Sequence, residues 1–180
     1  MSLVVHFITD RGAGDSVCAE LERRVAAVFP RAALCVTQVA PRDTLAAGYR
    51  VAELARQAAG RDLVIAHDVA AGPDQPGPWP AGGGERLFVG RAAAGPLVVG
   101  SNVGWTWSYV LADLPGLYVL DVPIAERRDL PDRLATAIVH ARRGHPHAIA
   151  GKVPRAEAPA LPQRVAIPLA GIPVERLSPS

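Results

Sequence analysis

Apolar runs of strand length alternate with stretches of helical spacing through the first third of the chain, and this alternation limits the fold more than any other feature. Residues 3–8, 33–39 and 62–66 are β-prone runs, and residues 17–28 and 43–59 lie between them with apolar positions at helical intervals. In the first helical stretch Cys18, Leu21, Val25 and Val28 share a face. Asp15 or Ser16 caps its start, and Phe29-Pro30 stops it because proline cannot continue the hydrogen-bond ladder. Asp43 suits the N-cap of the second helix and Gly60 its C-terminal stop. Strands separated by helices imply a parallel sheet with helical crossovers. Further along, residues 86–90 and 96–99 flank Ala92-Ala93-Ala94-Gly95 as a hairpin, and residues 117–122 read as another strand. Pro131 starts a helix over 132–143, and Gly144 ends it. The expected fold is a three-layer α/β/α domain over residues 1–150, with a mixed, mostly parallel sheet. Residues 151–180, rich in proline and weakly periodic, are expected to be an extended tail on the body or on a neighbouring subunit.

Composition narrows the class. Apolar residues make up 49% and charged residues 20% of 180, as in a globular domain. The net charge is +2 and basic residues are interleaved with acids, so no nucleic-acid partner is expected. No apolar run approaches the roughly 18–20 residues of a membrane span, and the N-terminus lacks the pattern of a signal peptide. A cytoplasmic protein without a membrane partner is expected. Cys18 and Cys35 form no disulfide framework and are expected to be buried thiols. His140, His145 and His147 match no metal-ligand spacing, so no metal is expected. Residues 69–85 hold Pro73, Pro76, Pro78 and Pro80 around Trp79, then Gly82-Gly83-Gly84, and read as a long surface loop. A strand follows the glycines, whereas a phosphate cradle would need a helix.

Candidate chemistry gathers at strand ends, where ligands of α/β sheets usually sit. Asp10 follows the first strand and suits a vicinal diol such as a ribose. Asp15 either caps the next helix or contacts the ligand. His67-Asp68 ends the third strand, where the carboxylate either orients water or a substrate hydroxyl or is a turn aspartate beside a partly exposed histidine. The run at 97–99 breaks at Gly100-Ser101-Asn102, then Trp105, Trp107 and Tyr109 follow. Asp68 and Ser101 are the candidate catalytic residues. Asn102 is a candidate ligand contact, and Trp105 and Trp107 either wall a pocket or belong to the core or a subunit interface.

Several of these residues resemble a known family. Ile8-Thr9-Asp10-Arg11-Gly12-Ala13-Gly14-Asp15 is similar to the T-D-F-G-x-x-D opening of the S-adenosylmethionine hydroxide adenosyltransferases, which share their fold with fluorinase and chlorinase enzymes. Val28-Phe29-Pro30-Arg31-Ala32 is similar to the family's I-N-P-x-A. Val36-Thr37-Gln38 with Ala40-Pro41-Arg42-Asp43 is similar to its I-T-H-x-I-P-P-x-D, and Val98 to Asn102 resembles V-G-P-D-N. The resemblance implies an α/β/α core, a homotrimer and a nucleoside site at a subunit interface. It gives Asp10 the ribose diol, Asp15 the methionine amino group, and Thr37 a place among the ligand contacts.

Two departures matter. In the family's D-P-G-V-G-x-x-R, which resembles residues 68–75, Gln75 takes the arginine position; in H-G-R-D, Glu126 of Glu126-Arg127-Arg128-Asp129 takes the histidine position. Ile172-Pro173-Val174-Glu175-Arg176-Leu177 is similar to the passage out of the family's first domain, so no counterpart of its adenine-gripping β-barrel is expected. Three functions follow as expectations. One is displacement at the ribose carbon of S-adenosylmethionine or a related nucleoside, without the usual water-activating triad and with S-adenosylmethionine as substrate rather than cofactor. Another is a tailoring or cyclising step on an apolar small molecule in an interface pocket. The third is a non-catalytic ligand-binding module.

Overall fold

The computed structural model describes residues 2–12, 14–58, 60–79, 84–92, 95–114, 118–122, 130–143, 151–152, 155–162, 164–169 and 172–177. The expected alternation forms as β1 (Val4–Thr9), α1 (Ser16–Val28), β2 (Ala33–Gln38), α2 (Thr44–Gln57) and β3 (Leu63–Asp68). Asp15 Oδ1 starts α1 by accepting the Val17 N–H at 2.8 Å, and Asp43 Oδ1 starts α2 by accepting the Ala46 N–H at 2.8 Å. Each carboxylate satisfies a donor that the helix start leaves open. The hairpin is β4 (Leu87–Arg91) against β5 (Leu97–Ser101), followed by α3 (Thr106–Asp113), β6 (Tyr118–Val122), α4 (Leu130–Arg143) and β7 (Gly151–Lys152).

The strands join in the order β2-β1-β3-β5-β4-β6-β7. Neighbours from β2 to β5 are parallel; β4 runs against β5 and β6, and β7 against β6. Five of these seven strands therefore point the same way. From β1 the chain steps outward to β2 and then returns past β1 to β3. Crossovers of one hand in opposite directions put their helices on opposite faces. One face packs Phe7, Val64 and Val99 against Leu21 of α1 and Leu134 of α4; the other packs Ile8, Ile65 and Val98 against Val51 of α2 and Trp107 of α3. Odd and even strand positions thus feed two separate cores, as the two-residue repeat of a strand requires. Close contact of α2 with α3 depends on Gly48, where a Cβ would lie 2.9 Å from the Thr106 carbonyl oxygen.

Two expectations are corrected. Residues 151–180 are not simply an extended tail. Gly151–Lys152 adds to the sheet, Arg155–Glu157 form a 3-10 turn, and β8 (Arg164–Leu169) pairs antiparallel with β9 (Ile172–Leu177). Pro168 stands opposite Pro173 in that pair, and a two-stranded ribbon, being all edge, tolerates prolines that an interior strand excludes. Cys18 is buried as expected, but Cys35 is exposed. It lies on β2, one of the two end strands of the sheet, which among the described residues has a neighbour on one side alone. Among the described residues no helix is long and apolar enough to cross a membrane.

Candidate active site at the carboxyl ends of β1 and β3

Because the chain leaves β1 towards β2 and leaves β3 towards β4 and β5 on the other side, the connections after these neighbouring strands diverge at their carboxyl ends, the switch point where ligands of open α/β sheets usually sit. Parallel register sets Thr9 beside Asp68, and the pairing of His67 with Gly100 brings Ser101 alongside Asp68 on the other side. Neighbouring strands lie about 4.8 Å apart, so Thr9, Asp68 and Ser101 form one polar row on the face covered by α1 and α4. All three are buried, at 0%, 2% and 4% exposure.

The turn after β1 lays a cation over this row. The Arg11 N–H donates to Thr9 Oγ1 at 3.2 Å, which fixes the turn. The guanidinium places Nε 3.7 Å from Asp68 Oδ2 and Nη1 4.0 Å from Asp15 Oδ2. Asp15 therefore caps α1 through Oδ1, as the first of its two expected roles, and turns Oδ2 towards the Arg11 guanidinium. Asp10 lies on the α2 side of the same sheet edge, where its Oδ2 accepts the Arg42 N–H at 3.1 Å.

The loop after β3 is fastened to α2 and α3. Thr44 Oγ1 donates to Gln75 Oε1 at 2.7 Å and accepts the Trp105 N–H at 3.0 Å, while Gln75 Nε2 donates to the Arg42 carbonyl at 2.7 Å. Gln75 is thus a loop fastening. Asn102 is fully buried, and its amide donates to the carbonyls of Trp79 (2.8 Å) and Gly84 (3.0 Å) while its Oδ1 accepts the Arg86 N–H at 2.8 Å. With these groups engaged on backbone, Asn102 clamps the loop to the end of β5 rather than reaching a ligand.

The aromatic wall also divides. Trp107 has no exposed surface; it packs in the core against His67 and Phe88, with ring centroids at 5.4 and 5.8 Å. It is core, and the pocket-wall reading is corrected for it. Trp105 stays partly exposed at the start of α3, with its indole N–H donated to the Ala160 carbonyl at 3.1 Å. Thr37 is held on β2 by His6, whose Nε2 lies 2.6 Å from its Oγ1; burial lowers the His6 pKa. His67 is buried beneath the sheet edge, and neither ring nitrogen has a hydrogen-bond partner. Burial pushes its pKa down to about 3, so the ring is neutral.

The structure therefore gathers Asp10, Asp15, Asp68 and Ser101 at one sheet edge and takes Asn102 and Trp107 out of reach. Glu126, His145 and His147 lie outside the described residues. Sequence reasoning missed Arg11 and Thr44. Their signals were present, a cation two residues past a strand end and a threonine next to an N-cap, but both are common on surfaces without function.

No family model and no curated protein matches the chain. Solved structures do. An uncharacterized conserved protein from Thermotoga maritima superposes with a TM-score of 0.63 at 13% identity, covering 83% of this chain and 58% of its own. A conserved hypothetical protein from Thermus thermophilus gives 0.62 at 21% identity, covering 90% of this chain and 63% of its own. The likeness is one of fold. The chain thus spans about three fifths of the length of each, 58% and 63%.

Proposed function

We propose that the sheet edge at the ends of β1 and β3 binds S-adenosylmethionine or a related nucleoside, and that the reaction there is displacement at the ribose carbon. One observation supports the reading: Arg11 stands between Asp15 and Asp68 at the sheet's switch point, with Asp10 on the α2 side of the same edge. Asp10 gives one oxygen to the Arg42 N–H and keeps the other for a ribose hydroxyl. Asp15 and Asp68 face the Arg11 guanidinium and Asp10 stands on the α2 side of the same edge, and carboxylates grouped in this way favour a ligand that brings positive charge, as a sulfonium and an ammonium do. Asp68 beside Ser101 is the place to orient the attacking group. Gln75 is neutral and committed to Thr44 and Arg42, so efficient hydrolysis by the charged route of the hydroxide enzymes is not expected. Burial of Trp107 weakens the case for an apolar tailoring substrate. Calorimetric titration with S-adenosylmethionine and adenosine tests the site: Asp10→Asn is expected to weaken binding by about tenfold, the loss of one charge-assisted hydrogen bond. No binding of either ligand to the wild type would end the reading.

We also propose a homotrimer, with β2 in the subunit contact. This edge strand, Ala33 to Gln38, carries no charge or proline to blunt it, and Val36 is 36% exposed. Small-angle scattering is expected to give a trimer for the wild type and a smaller species for Val36→Lys; a wild-type monomer at micromolar concentration would refute it.

A further inference from the structure

We propose that Arg11 is the positioning residue of this site: its guanidinium, carried over the sheet edge by the turn after β1, fixes the direction in which Asp68 presents its carboxylate. The inference rests on reading this sheet edge as the ligand site, and it adds a role that the resemblance does not supply, because the family's opening has phenylalanine where this chain has Arg11.

The geometry comes from three constraints. Thr9 lies beside Asp68 in the parallel register, and Thr9 Oγ1 holds the Arg11 N–H, so the turn is anchored one strand away from the carboxylate it covers. Asp15, itself fixed by its cap on α1, draws the far end of the guanidinium to 4.0 Å and sets its orientation. Arg11 Nε then faces Asp68 Oδ2 at 3.7 Å with no hydrogen-bond partner of its own. At that separation the contact is an ion pair without a closed hydrogen bond. The Asp68 side chain is 3% exposed and that of Arg11 is 39% exposed, so the pair joins a buried carboxylate to a cation that reaches solvent. A carboxylate this buried is costly to ionise without an opposite charge close by, and arginine supplies one that does not titrate. Among the described residues Arg11 and, behind it, Asp15 are charged groups set beside Asp68, and Thr9 and Ser101 flank it with hydroxyls. Its neighbour His67 points into the opposite core and is neutral.

The test is a carbon-13 titration of aspartate-labelled protein, free of ligand, with the Asp68 signal assigned by its loss in Asp68→Asn. Arg11→Gln is expected to raise the Asp68 midpoint by about one pH unit or more, the usual effect of removing an adjacent guanidinium. Arg11→Lys, which restores charge without the planar fork, is expected to recover part of that shift and serves also if the Gln variant does not fold. Asp62, paired with Arg142 on the far side of the domain, should not move in any variant. An Asp68 midpoint unchanged by both Arg11 substitutions would overturn the role. Because the measurement needs no ligand, failure of S-adenosylmethionine to bind would strike the proposed function and leave this result standing.

Discussion

Gly100→Ala is expected to cost about 3 kcal/mol of stability or more, at the upper end of the penalties for overfilling a core. A Cβ at this position would lie 2.1 Å from His67 Nε2 and 2.2 Å from its Cδ2 and Cε1. No nonbonded pair of heavy atoms sits so close, so the ring would have to leave. It has nowhere to go: His67 is buried and lies against Trp107, which packs in turn on Phe88. Urea denaturation of the single variants and of Gly100→Ala/His67→Ala forms a double-mutant cycle. Removing the ring should recover much of the loss, a coupling expected of residues in direct contact. A Gly100→Ala protein as stable as the wild type would show that His67 does not lie over the strand.

The second large effect is in pH. His67 has a pKa of about 3 in the folded chain, against an ordinary value of 6.5, because burial disfavours the charged ring. Between those two values the unfolded chain binds a proton that the folded chain refuses. The stability tied to this group is therefore complete above pH 6.5 and is lost progressively as the pH falls towards 3, on the order of 5 kcal/mol in all. That is comparable with the whole stability of many domains. His6, also lowered by burial, acts in the same direction. His67→Leu removes the titration together with two unsatisfied nitrogens, so it should leave stability at pH 7 unchanged or improved and should flatten the fall between pH 6.5 and 4. Equal acid sensitivity in the two proteins, measured by urea midpoints across that range, would assign the effect elsewhere.

What could be read without coordinates was the chemistry of near neighbours. Asp15 and Asp43 begin helices through carboxylate-to-amide contacts that span two or three residues, and the alternation of apolar runs follows from strand and helix periods. The strand ends that hold Asp10, Asp68 and Ser101 were legible for the same reason. What escaped depended on register between distant segments. Arg11 matters because parallel pairing puts Thr9 beside Asp68, fifty-nine positions on in the chain. Asn102 has the composition of a turn residue, and only the path of residues 79–86 past it turns it into a clamp. Trp107 and Trp105 stand two apart in one short stretch, yet helical rotation buries one and leaves the other partly exposed. The apolar run of β2 suggests an interior strand, and nothing local says that it is an end strand. Pro168 and Pro173 argue against strands unless the ribbon they belong to has no interior.

The order of strands also bears on how the chain is made. β1 pairs with both β2 and β3, so residues 4–68 hold a contiguous three-stranded pairing whose partners are all made before β4. Its β3 edge then stays open, because the next strand synthesised, β4, does not pair with it; β5 comes between them. Until residue 101 has emerged, that edge, formed by the wholly apolar Leu63 to Ala66, offers unpaired backbone to any other strand. The stretch between β3 and β5, with its prolines and the loop that Asn102 will later clamp, sets how long nascent chains remain exposed to one another, and slower translation through it would lengthen that interval.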